Sequence, residues 1–301
     1  MGKTHIPLSM WRPSSYTLQY NQITTHRLFI VKKDRYRENF NLKRLLKIVI
    51  LISKKVLKFF RFNSPIVRIE HISNKGKVSF VLQAPNDLTL YRANTFSTKE
   101  PETLNWIDNF GGEGSFYDIG ANIGIYSLYH AKLYDTPVYA FEPSFFNLVN
   151  LAKNINLNNL TDRITVISNP LFDSNIIANF NMESIEEGAA HSTFSKEHNQ
   201  EGNPLNIKFK YKTLGVSLDH LLKCNLIMPP SIIKIDVDGI EHLILNGAKS
   251  VLENLRLKSI LVEVHSKFEE LEFSVSKVLK ENNFVFDKVL SSTENQIWNR
   301  H

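Results

Sequence analysis

Two acids placed where strands should end frame the chemistry open to this chain. Asp118-Ile119-Gly120-Ala121-Asn122-Ile123-Gly124 follows apolar Phe116 and Tyr117 and precedes a helical pattern. It reads as a strand end, a glycine turn and a helix start. In a doubly wound sheet, ligands bind beyond the carboxyl ends of the strands, and glycines let the backbone come close to them. The spacing Asp-x-Gly-x-x-x-Gly departs from Gly-x-Gly-x-x-Gly, which seats a pyrophosphate on a helix N-terminus. An acid at this place repels pyrophosphate and can hold an ammonium group, directly or through water. A second acid, Glu142, ends the apolar run Val138-Tyr139-Ala140-Phe141 and is followed by Pro143. It stands about 20 residues past the turn, where a carboxylate can accept both ribose hydroxyls. A nucleoside with an amino-acid end and no phosphate is S-adenosylmethionine, and this is the ligand expected.

Further strand ends add to the set. A third strand closes at Ser168-Asn169-Pro170. Ser168 or Asn169 could bond an adenine amino group there, and Asn169 could equally serve as a turn former. The fourth gives Ile232-Ile233-Lys234-Ile235-Asp236-Val237-Asp238-Gly239-Ile240-Glu241. Asp236 should face the reaction centre. Asp236, Asp238 and Glu241 together could hold a divalent cation, supply one base, or cap the following helix. In the fifth, Leu261-Val262-Glu263-Val264-His265, side chains alternate, so Glu263 and His265 share a face. Asp236, His265 and Glu263 are the candidate catalytic groups, and His265 is the best suited to proton transfer near neutral pH.

The elements that must position these residues follow from pattern. Strands are expected at Phe116–Ile119, Val138–Phe141, Ile164–Ser168, Ile232–Ile235, Ser259–Val264 and Phe284–Leu290, with helices between them. Short apolar runs alternating with helices imply an α/β, largely parallel sheet covered on both faces. An insertion at about Phe172–Leu214 should add one or two antiparallel strands, joined by a polar loop, His191–Pro204, that could close over an acceptor. Upstream, strands are expected at Lys77–Gln83 and Leu88–Arg92, turning at Pro85-Asn86-Asp87, and a helix at Glu100–Phe110 with Pro101 in its first turn. From Leu42 to Phe60, apolar residues recur at steps of three and four with lysines opposite. Such a helix could pack on the next domain or lie on a membrane surface. The chain divides into an N-terminal extension, residues 1–95, and a catalytic domain, residues 96–301.

The 301 residues are 43% hydrophobic and 22% charged, which suits a globular fold and argues against global disorder. The net charge of +6 is concentrated between Lys32 and Arg68. No nucleic-acid-binding motif accompanies that basic stretch, so no specific nucleic acid is expected. The single cysteine, Cys224, excludes an intrachain disulfide and a cysteine-rich zinc site and fits a reducing compartment. Without the apolar core of a signal peptide at the start, a cytoplasmic location is expected, with peripheral membrane contact through residues 42–60 as an option.

The blocks FYDIGANIGIYS, YAFEPSFFNLVNLAKNINLN, VSLDHLL, IIKIDVDGIEHLILNGA and LVEVH occur in order and at the spacing of a known family. The chain resembles the FkbM-type S-adenosylmethionine-dependent methyltransferases from about Glu100 to His265, and on toward Arg300. The resemblance implies a class I methyltransferase fold with a seven-stranded sheet. It implies O-methylation of hydroxyls on sugars or natural products, and so a small-molecule or glycan acceptor. It further implies that Asp118, Gly120, Asn122 and Gly124 line the methionine end, Glu142 the ribose, and Asp236 the methyl group. Asp238, where the pattern often has Glu, is a departure that keeps the charge. Rival functions are an N-methyltransferase, a non-catalytic adaptor on the same fold, and a nucleotide-dependent oxidoreductase, which lacks its glycine pattern here.

Overall fold

The computed structural model describes residues 64–198, 203–264 and 269–300. The basic helical pattern at 42–60 and His265 lie outside these residues. The first strands are β1 (Ile66–Ser73) and β2 (Gly76–Gln83), an antiparallel pair. Leu88–Arg92, expected as a strand, is helical and belongs to α1 (Asp87–Lys99). The reason is local. Asn86 accepts a hydrogen bond from the Thr89 amide at 2.8 Å, and Thr89 bonds back to the Asn86 backbone, so Pro85-Asn86-Asp87 starts a helix instead of turning a hairpin. Thr89, Ala93 and Phe96 then fall on one buried helical face. The next helix, α2 (Pro101–Phe110), begins at proline as expected.

The main sheet has seven strands. β3 (Ser115–Ile119), β4 (Val138–Phe141), β5 (Ile164–Ile167), β9 (Pro230–Ile235) and β10 (Ser259–Glu263) run parallel. β12 (Asn295–Asn299) is antiparallel to β10, and β11 (Val285–Phe286) to β12. The order is β11-β12-β10-β9-β3-β4-β5. Only the start of the run expected at Phe284–Leu290 is a strand. The strand that joins it to the sheet, β12, lacks a long apolar run; its Asn295, Gln296 and Asn299 donate their side-chain N–H groups to Glu102, Glu272 and Asp287. Helices α3 (Ile125–Leu133), α4 (Phe145–Leu157), α6 (Glu241–Asn246), α7 (Lys249–Glu253) and α8 (Glu269–Glu281) flank the sheet, and α5 (Leu218–Lys223) precedes β9. Chain order reverses between β3 and β9, so the crevice for a ligand opens beyond Ile119 and Ile235.

The insertion forms a second sheet of three antiparallel strands: β6 (Ile176–Met182), β7 (Ser192–Phe194) and β8 (Phe209–Gly215), in the order β7-β6-β8. Phe180, Met182 and Phe194 join the core of the main sheet.

The hairpin docks through an asparagine row on α4. Asn158 accepts from the Val81 amide at 2.9 Å and donates to the Val81 carbonyl at 2.7 Å. Asn154 accepts from the Gln83 amide at 2.8 Å, and Asn150 donates to the Gln83 carbonyl at 3.3 Å. Helical spacing lines these amides up along β2 so that they imitate a neighbouring strand. Replacing Asn158 with leucine leaves the Val81 amide and carbonyl without partners. The expected loss is about 1–3 kcal/mol, measured as a lower urea midpoint at unchanged slope; an unchanged midpoint would contradict this role.

Candidate active site

The floor of the crevice is built where β3, β4 and β9 end. Gly120 has φ +83°, and a Cβ there would stand 1.8 Å from the Asp236 carbonyl oxygen, so only glycine fits. The tight approach is fixed by the Asp236 amide donating to the Ile119 carbonyl at 2.9 Å. Asn122 also adopts the left-handed region, with φ 53°. Its amide donates to Glu142 Oε2 at 2.8 Å, and its Nδ2 to the Ala189 carbonyl at 2.9 Å. Asn122 Oδ1 is buried with no partner. The other Glu142 oxygen accepts from the Ser144 amide at 2.7 Å. Burial pushes the Glu142 acid up to about 7, against the two backbone donors.

Asp118 stands beneath this floor. It is buried, accepts from Ser127 Oγ at 2.6 Å, and is missing from the cavity wall. Burial pushes its pKa above the usual carboxylate value, and the Lys234 charge opposes that. Gly124 and Ser168 also stand apart from the wall, whereas Gly120, Asn122, Glu142, Pro143, Asn169, Asp236 and Glu263 line it. Asn169 Nδ2 donates to the Leu214 carbonyl at 2.9 Å, which ties this strand end to the insertion.

The β9 end carries the densest charge. Lys234, 1% exposed, is ion-paired to Asp236, and its ammonium lies 4.9 Å over the Tyr126 ring. Burial alone would lower the lysine, but Asp236, Glu100, Asp118 and Glu263 outweigh it and hold it firmly cationic. Burial likewise would raise Asp236, yet Lys234 and a hydrogen bond from Glu263 hold it well below the usual carboxylate range. Glu263 is raised, first by the Asp236 charge and then by burial, so it keeps the proton in that bond. In the same cluster, Glu100 accepts from Tyr126 Oη at 2.7 Å and from Lys99 Nζ at 2.6 Å.

Asp236, Asp238 and Glu241, grouped in sequence, diverge in space. Asp238 accepts from the Ser192 amide at 2.8 Å and lies 4.0 Å from His191 Nδ1. Glu241 is buried; burial, then the Asp238 and Asp236 charges, push it up to about 8, and its Oε1 accepts from the Gly239 amide at 3.2 Å. Among the described residues no group of three or more His, Cys, Asp or Glu is placed to hold a metal ion.

Two contributors escape a motif-based reading. The loop before β7 crosses the cavity edge, where Asn147 accepts from the Gly188 amide at 2.8 Å and donates to the Ala189 carbonyl at 3.1 Å. Arg92 Nε reaches the Gly188 carbonyl at 2.8 Å. Nothing in the local sequence announces this loop. Lys234 did leave a signal, since it is the one charge inside the apolar run of β9.

The cavity has a volume of about 370 Å³, suited to a nucleoside and a small acceptor. The orphaned Asn122 Oδ1, the glycine-only approach at Gly120 and the buried carboxylate of Glu142 at its wall fit S-adenosylmethionine. Sheet order and crevice are those of the class I methyltransferase fold. The profile of the methyltransferase FkbM domain matches residues 118–286, more than half of the chain, and the protein belongs to that family. No functionally curated protein matches the sequence. Among solved structures, methyltransferase FkbM from Methylobacillus flagellatus KT is similar at 17% identity and a TM-score of 0.41, over 71% of this chain. This chain spans 55% of that protein's length. Human methyltransferase 10 domain containing protein is similar at 15% identity and a TM-score of 0.39, covering 67% of this chain and 83% of that one. A Streptococcus mutans protein in complex with SAH is similar at 11% identity and a TM-score of 0.37, covering 63% of this chain and 88% of that one.

Lys234→Met removes the charge shared by Asp118, Asp236 and Glu263. A broken buried pair costs about 3–5 kcal/mol. Asp236, held acidic by Lys234, contributes stability above the unfolded carboxylate range and loses it only as pH falls through its lowered folded value. In the variant the buried Asp236 lacks this counter-charge and takes up a proton at a higher pH than in the wild type, so the deficit is expected to be large at pH 8 and to shrink toward pH 4, read from urea midpoints. A deficit independent of pH would contradict this account.

Proposed function

We propose that this methyltransferase transfers its methyl group to a hydroxyl of a sugar or natural-product acceptor. The supporting observation is the acid-rich end of the cavity, where Glu100, Asp236, Asp238, Glu263 and Glu294 share the wall with Lys99. Carboxylates accept hydrogen bonds from neighbouring hydroxyls and repel phosphate or carboxylate groups. An amine would also suit these acids, and product analysis separates the two.

In this proposal Glu142 holds the ribose hydroxyls. Gly120 and Asn122 receive the methionine end, with Asn122 Oδ1 as an acceptor. Pro143 and Asn169 border the base, and Asn169 takes this role in place of Ser168. Asp118 acts from beneath, through Ser127 and Lys234, and Gly124 acts by packing. When bound, S-adenosylmethionine supplies an electrophilic methyl on a sulfonium. Asp236 and Glu263 orient the acceptor oxygen toward it, with His265 assigned to the same cluster from its sequence position. Alignment of this kind can contribute about 7–11 kcal/mol to the rate.

Calorimetry with S-adenosylhomocysteine is expected to give heat that Glu142→Ala largely abolishes; no heat from the wild type would overturn the site assignment. Ribose recognition needs the Glu142 carboxylate, whose acid lies at about 7 in the free protein. Affinity should therefore rise with pH through about 7 and lose that dependence in Glu142→Gln. With methyl glycosides as acceptors, S-adenosylhomocysteine should be released by the wild type, and Asp236→Asn should slow release more than it weakens binding. Transfer to amines alone would overturn the hydroxyl assignment.

We also propose that the basic helical pattern at 42–60 contacts an anionic membrane surface. Among the described residues no helix is long and apolar enough to cross a membrane. Flotation with phosphatidylserine vesicles is expected to carry the protein, and substitution of Lys54, Lys55 and Lys58 by glutamine to release it. Flotation unaffected by the substitutions would count against this contact.

A further inference from the structure

The acids of the transfer site are poorly placed to take a proton from a hydroxyl. Asp236 is committed to the Lys234 ion pair and to the Glu263 hydrogen bond, and a carboxylate stabilised in this way is a weak base. Glu263 already carries a proton. Glu100 accepts from both Tyr126 and Lys99. If the acceptor is a hydroxyl, as proposed above, a base must come from elsewhere on the wall.

His191 lines the same cavity and its side chain is 70% exposed, so an acceptor entering the cavity meets it. Its backbone is held at φ 60°, in the left-handed region that a non-glycine residue enters at a cost. Two bonds hold it there. The Glu183 amide donates to the His191 carbonyl at 3.2 Å, and the next residue's amide, Ser192, donates to Asp238 Oδ2 at 2.8 Å. The other oxygen, Asp238 Oδ1, stands 4.0 Å from His191 Nδ1. The loop is carried over the cofactor turn by Asn122 and Asn147, which both donate to the Ala189 carbonyl. An imidazole whose Nδ1 faces a carboxylate is biased toward the Nδ1–H tautomer, leaving Nε2 with a free lone pair.

We infer that His191 is the general base of methyl transfer, oriented by Asp238. The acceptor O–H proton passes to Nε2 as the oxygen forms its bond to the methyl carbon. The carbon–sulfur bond breaks and its electron pair stays on sulfur, giving S-adenosylhomocysteine. The resulting imidazolium lies beside Asp238, which balances its charge. This inference rests on the proposed hydroxyl acceptor.

The test uses the full chain saturated with S-adenosylhomocysteine and labelled with 15N-histidine, with His191 assigned by the signal missing in His191→Gln. The 15N shifts should report the Nδ1–H tautomer at a pH where the ring is neutral, and Asp238→Asn should move the population toward Nε2–H. An Nε2–H tautomer in the wild type, or no change in Asp238→Asn, would overturn the assignment. In turnover with methyl glycosides, His191→Ala should fall about 10²–10⁴-fold, the usual worth of a general base, with unchanged affinity for S-adenosylhomocysteine. Added imidazole should restore part of the rate. Loss and imidazole rescue in His265→Ala, with His191→Ala at the wild-type rate, would also overturn it. Absence of transfer by the wild type would count against the hydroxyl acceptor, while the 15N measurement would still decide the state of His191.

Discussion

The site depends on one buried cation. Lys234 is buried in the central part of the sheet, and its charge is tolerable only because Asp236, Glu100, Asp118 and Glu263 offset it. The dependence also runs the other way. Several carboxyl groups crowd the junction of β3, β9 and β10, and without the ammonium they would have to take up protons. The cation thus decides which acids at the crevice are charged. Asp236 stays an anion, Glu263 stays neutral, and a polarised hydrogen bond joins them.

That electrostatic core is joined to a set of uncharged ties. Amides on α4 hold the hairpin at Val81 and Gln83 and hold the insertion loop at Gly188 and Ala189. One helix therefore sets the position of both segments that border the cofactor crevice. The same helix starts just after Glu142, so this acid and the loop share a single support.

Much of this was legible in sequence because the parallel strands are short apolar runs ending in acids. Phe116, Val138, Ile232 and Ser259 begin or sit within strands where the pattern placed them. The strand expected at Leu88 failed because a capping box and a hairpin turn draw on the same residue types, and only Thr89 bonding back to Asn86 separates them. β12 was illegible because its polar residues find partners far along the chain, as Asn295 does with Glu102. At the crevice, residue type and strand position anticipated that Glu142 and Asp236 line the cavity, while the depth of Asp118 depended on how Ser127 and Lys234 pack against it. The loop at 186–191 is tied to the cavity edge by Asn122, Asn147 and Arg92, all distant in sequence, and no local spacing encodes such contacts.

The asparagine row has a consequence for assembly. Two-stranded sheets present unpaired backbone on both sides, and such edges invite strand addition by other chains. Here the β2 side is plugged by side chains of a helix, which cannot lengthen the sheet. Strand addition at Val81 and Gln83 is thereby closed, and a chain that paired with the hairpin there would first have to displace α4.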